Sequence, residues 1–73
     1  MFSPTPEESE TLGRVLRALR EGVRMSLREE ARRVGVTHAT LSRFERGERI
    51  VSAETLARIA RVVADEIASK DAA

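Results

Sequence analysis

The sequence predicts an all-α fold, a compact domain of four to five helices. Three observations carry that expectation. Apolar residues recur at i, i+4 and i+7, the spacing of one helix face. A hydroxyl residue able to cap a helix stands ahead of each stripe, at Thr5, Ser26, Thr37 and Ser52. Within residues 26–47 two short stripes are separated by Gly35, so two brief helices meet there at a tight turn. A chain of 73 residues suits one domain with little margin of stability.

Residues 1–4 are expected to form a tail and residues 5–70 the folded domain. Thr5 caps the first helix, Pro6 takes its first helical position, and Glu8 closes a capping box. Leu12, Leu16, Leu19 and Val23, with Val15 beside them, are its predicted core face. Gly13 inside it costs about 1 kcal/mol against Ala and allows close packing. The helix ends near Gly22, and the short link to Met25 requires a sharp turn. Ser26 caps the second helix, with Glu29 as the acid of an S-x-x-E box, and Leu27, Ala31 and Val34 form its stripe. After Gly35, Val36 is an apolar plug and Thr37 a second cap; Leu41 and Phe44 mark the buried side of the third helix, and Gly47 its exit. Of the apolar pair Ile50-Val51 in the following loop, one packs on the core and the other is exposed. Ser52 caps a last helix running unbroken from Ala53 to about Ser69, along Leu56, Ile59, Ala60, Val63 and Ile67. Residues 71–73 are expected to fray.

The third helix carries the functional reading. With Leu41 and Phe44 inward and 100° per residue, Ala39, Ser42, Arg43 and Arg46 point outward, His38 and Thr40 flank them, and Glu45 turns toward the buried side. The outward face is short, basic and free of acid. Small hydroxyl residues with arginines suit base edges and phosphates in a major groove. The bland alternative is a solvated helix face. Charge distribution weighs against it: residues 1–13 carry −3, residues 14–49 carry +5 and residues 50–73 carry −1. Positive charge gathers around the motif, as a polyanion footprint requires. Arg17, Arg32 and Arg33 also suit covering apolar surface with their stems.

The spaced residues Ser26, Glu29, Ala31, Gly35, Val36, Thr37, Thr40, Leu41, Ser42, Arg43, Phe44, Glu45, Arg46 and Gly47 resemble the phage lambda repressor/Cro-type helix-turn-helix family, also called the xenobiotic-response-element family. The match continues through Ser52, Glu54, Thr55, Leu56, Ile59 and Ala60, and spans roughly residues 12 to 63. The resemblance implies a lambda-repressor-like helix-turn-helix domain that binds double-stranded DNA and regulates transcription, as a repressor of phage, prophage or bacterial type. On the matching positions, Thr37, His38, Ala39, Ser42 and Arg43 are the expected base contacts. Arg20, Arg24, Arg28, Thr40, Arg46 and Arg49 are the expected phosphate contacts. Arg20 and Glu45 occupy the positions of the family's ion pair beneath the recognition helix. Two positions depart from the pattern. Leu27 stands where the family usually has a phosphate-contacting Gln, and Glu30 where it has a buried Leu; Glu30 is expected to be exposed or paired with an arginine.

Other chemistry finds no parts. Cys is absent and His38 is the single histidine, so neither a disulfide framework nor a metal site is expected. No apolar run reaches membrane-spanning length, and the polar, acidic start does not read as a signal peptide, so a cytoplasmic, nucleoid-associated protein is expected. Glu29 and Glu30 do not face one common point, and Ser26 and Ser42 lack triad partners, so no enzyme and no cofactor are expected. Phe2 and Phe44 are the only aromatics, too few for a single-strand stacking platform. Val62, Val63, Ile67 and Phe2 are the apolar residues available for a homodimer contact through the C-terminal helix. The alternative in another class is a protein-interaction module on the same fold, such as an antitoxin or a regulator's partner.

Overall fold

The computed structural model describes residues 3–71. Four helices follow in order: α1 (Pro6–Gly22), α2 (Leu27–Val34), α3 (His38–Glu45) and α4 (Ala53–Asp71). No fifth helix and no strand occur among the described residues. The predicted Phe2 contact lies outside the described residues, as do Ala72 and Ala73 of the expected frayed end; Asp71 closes α4.

Each start is fixed by its cap. The Glu8 N–H donates to Thr5 Oγ1 at 3.1 Å, and the Thr5 N–H donates to Glu8 Oε1 at 2.8 Å, so the box at α1 is complete. At α2 only half of the expected box forms. The Glu29 N–H donates to Ser26 Oγ at 3.1 Å, while the Glu29 carboxylate reaches along the helix toward Arg33, 3.6 Å away. Ser52 caps α4 by accepting from the Thr55 N–H at 3.1 Å. Gly35 ends α2 with φ +88°, the left-handed conformation that a Cβ disfavours.

Leu16, Met25, Ala31, Val34, Leu41, Phe44, Leu56, Ile59 and Val63 form the core. Leu12, Val23, Leu27, Val36, Val51, Val62 and Ile67 pack around it. Three expectations are corrected. Val15 and Leu19 are 49% and 42% exposed rather than core, because α1 is rolled so that Ser9, Gly13 and Leu16 face inward. A Cβ on Gly13 would collide with the Phe44 carbonyl oxygen, so α1 and α3 meet backbone to side-chain-free backbone. Ala60 is exposed, and of the residues expected at a dimer contact Val63 is buried in the chain's own core, while Val62 and Ile67 are half-buried against it. Glu30 is neither exposed nor paired: it is 0% exposed, and neither carboxylate oxygen has a hydrogen-bond partner. Of the loop pair, Val51 packs inward and Ile50 is exposed.

Candidate nucleic-acid interface

α3 is seated by Leu41 and Phe44, both fully buried, and by Glu45 at its C-terminal end. With those three inward, Ala39 and Arg43 face solvent squarely, and His38 is exposed at the first turn. Ser42 and Thr40 are half-buried on the two flanks. The Thr40 N–H donates to Thr37 Oγ1 at 3.1 Å, and the Thr37 hydroxyl donates to Thr40 Oγ1 at 2.9 Å. Thr37 therefore uses its hydroxyl proton in the cap, while the Thr40 hydroxyl proton remains available to an outside acceptor.

Arg20 and Glu45 meet in a two-pronged ion pair. Arg20 Nε donates to Glu45 Oε2 at 2.9 Å and Nη2 donates to Glu45 Oε1 at 3.0 Å. Arg20 Nη1 donates to the Met25 carbonyl at 2.9 Å. One side chain thus ties α1 to the end of α3 and to the turn before α2. The hydrogen bond to Glu45 holds the Arg20 guanidinium above its ordinary pKa, against the opposing effect of burial. Arg20 is consequently drawn into the scaffold, and only its remaining N–H groups are left for a phosphate.

The predicted phosphate residues divide by what they already hold. Arg46 Nε lies 3.1 Å from Glu48 Oε2 on the surface. Arg24, Arg28, Arg43 and Arg49 have no carboxylate within ion-pair distance among the described residues. All four are exposed. They come from the α1–α2 turn, the first turn of α2, the outward face of α3 and the loop after α3. Arg14, Arg17 and Arg58 by contrast each pair with a glutamate four residues away on their own helix.

A shallow recess of about 130 Å³ between α1, α2 and α3 is walled by Arg17, Arg20, Leu27, Ser42, Glu45 and Arg46. Leu27 contributes an apolar wall there, where a Gln would have contributed an amide. Sequence reasoning missed one conformation and one residue. Arg24, named as a phosphate contact, adopts φ +60°, a left-handed conformation at a non-glycine position, in the link that aims α2. Glu66 on α4 accepts from Arg33 Nη1 at 2.7 Å and binds α2 to α4. The opposite charge four helical turns along a different element left no sequence spacing that could announce it. The Arg33 hydrogen bond holds the Glu66 carboxyl below, and the Arg33 guanidinium above, their ordinary pKa values.

No group of His, Cys, Asp and Glu side chains able to hold a metal ion occurs among the described residues. No helix there is long and apolar enough to cross a membrane. A family profile described as "Helix-turn-helix domain" matches residues 11–64. The crystal structure of the clp gene regulator ClgR from Corynebacterium glutamicum is similar to this chain, with 37% identity and a TM-score of 0.72. The similarity covers 88% of this chain and 70% of that one. No curated protein matches the chain.

Proposed function

The chain belongs to the helix-turn-helix family of lambda repressor/Cro-like DNA-binding proteins, and on that premise we propose that it regulates transcription by laying α3 in the major groove of duplex DNA. The observation that carries this reading is the acid-free outward face of α3, where Arg43 is exposed and, among the described residues, has no carboxylate within ion-pair distance. In it, Arg43 reads a guanine edge, Ala39 meets a thymine methyl, and Thr37, His38 and Ser42 contact neighbouring bases. Arg24, Arg28, Arg46, Arg49 and the Thr40 hydroxyl engage phosphates, with Arg20 behind them as the anchor of α3. A helix that fills the groove over a promoter blocks polymerase, so repression is the regulatory sense we assign.

Selection of bound fragments from random duplex DNA tests this directly. A shared short sequence containing guanine is expected. Recovery of no common sequence, with binding that does not fall as salt rises, favours the protein-interaction module instead, because phosphate contacts carry a steep salt dependence.

The reading extends to a homodimer on a two-fold site, since two half-sites supply affinity that one small module lacks. With Val63 in its own core, the contact we assign to a second copy is the largely apolar groove of about 500 Å³ between α1 and α4, lined by Leu12, Leu16, Ala53, Leu56, Ala57 and Ala60 with Glu54 at its edge. Sedimentation of free and DNA-bound protein decides it; a monomer in both states removes the dimer.

A further inference from the structure

We propose that Glu30 makes the packing of the helix-turn-helix proton-responsive, the domain closing tightly around a neutral Glu30 and loosening its hold on α3 when that side chain ionises. Glu30 sits in the first turn of α2 with its side chain fully buried. Both carboxyl oxygens lack a hydrogen-bond partner. An uncharged carboxyl tolerates such a site far better than a carboxylate, which demands a cation or water.

Every element packed against it offers little to an anion. From α1 comes Arg20, already forked onto Glu45 and bonded to the Met25 carbonyl. From α3 comes Glu45, a like charge. On α2 itself Arg33 acts on Glu30 but is held by Glu66 of α4 at 2.7 Å, and Lys70 stands behind Glu66 at 3.6 Å. Burial, and next the Glu45 charge, push the Glu30 carboxyl up to about 7. When Glu30 releases its proton to solvent, the new charge draws on the two cations that act on it. Arg20 turns from Glu45 toward Glu30, which releases the tie between α1 and α3, or Arg33 turns from Glu66, which releases the tie between α2 and α4. Either movement loosens the helices that seat α3.

The sign follows from linkage. A folded-state pKa raised above the unfolded one means that the folded form binds the extra proton, so stability falls as pH rises between the two values. With 4.5 rising to about 7, the folding equilibrium constant falls about 70-fold between pH 5 and pH 8. For the duplex-binding function, and resting on that reading, affinity declines through the same interval.

Three measurements on the full chain test this. Urea melts at pH 5 and pH 8 should show a fall of that order in the wild type. Glu30→Gln, and separately Glu30→Leu as a variant that needs no polar partner, should lose most of it. The Glu30 side-chain carbon resonance should titrate well above the other carboxylates. Duplex affinity should decline from pH 6 to pH 8.5 in the wild type more than in Glu30→Gln. A Glu30 midpoint near 4.5, or equal pH dependence in wild type and both variants, overturns the proposal. A protein that passes the melts and the titration but binds no duplex at any pH upholds the proton-responsive packing and counts against the DNA reading alone.

Discussion

Arg43 is the residue on which sequence discrimination turns. It is exposed on the outward face of α3 with no carboxylate within ion-pair distance among the described residues, so its planar fork is free for a guanine edge. Arg43→Ala should cost about 1–3 kcal/mol on the selected site and relax the preference at one base pair. Titrations of the selected duplex and its single-base variants measure both effects. Arg28 and Arg49 should behave otherwise: replacing either by Ala should weaken all duplexes alike and shallow the salt slope by about one. Arg24 separates binding from folding. Its φ of +60° suits glycine, so Arg24→Gly relieves left-handed strain while freeing the unfolded chain, and stability should move by less than about 1 kcal/mol. Affinity should still fall. The caps at Thr5, Thr37 and Ser52 were legible because a hydroxyl ahead of an apolar stripe has one good use. The conformation of Arg24 was not, because the four-residue link between α1 and α2 sets it, and Gly22, the residue that composition points to, keeps an ordinary helical one.

At the scale of elements, the seating of α3 rests on Phe44 and on the missing side chain of Gly13. Phe44 is fully buried, and Phe44→Ala should cost about 3–5 kcal/mol in thermal or urea melts. Gly13→Ala gains about 1 kcal/mol of helix propensity yet drives a methyl into the Phe44 carbonyl oxygen. A net loss of about 1–3 kcal/mol is expected. Gly22→Ala is the control, since an added Cβ there meets nothing within 4 Å; it should stabilise or be neutral. A Gly13→Ala protein at least as stable as wild type would show that α1 and α3 do not meet as described. The four helices themselves follow from periodicity and caps. The rotation of α1 does not, because apolar periodicity marks Val15 and Leu19 while the contact with α3 is made by Gly13 and the Arg20–Glu45 tie. Small and paired residues let backbones approach, and a hydrophobic stripe is blind to them. Glu30 was misplaced for the same reason: polarity predicts exposure, and only the packing of three helices around it reverses that.

For the whole molecule, two carboxylates bend the pH profile in opposite senses. Glu66 is held below its ordinary value chiefly by the Arg33 hydrogen bond, so its contribution is present above the unfolded pKa and is lost as pH falls through the folded one. Glu30, raised to about 7, contributes most below its ordinary 4.5 and loses that contribution as pH rises to about 7. Stability that declines from pH 5 toward pH 8, with its maximum on the acid side of neutrality, is the expected result of melts across the range. One face, centred on α3 and bordered by the arginines of the α1–α2 turn and the loop after α3, is the surface proposed to meet duplex DNA. Amide chemical-shift mapping during titration with the selected duplex tests that claim most directly. The largest changes should fall at residues 37–46, at residues 24–28 and at Arg49, with the groove lined by Ala53, Ala57 and Ala60 changing only if a second copy binds there. Changes confined to that groove, with residues 37–46 unmoved, would contradict the account.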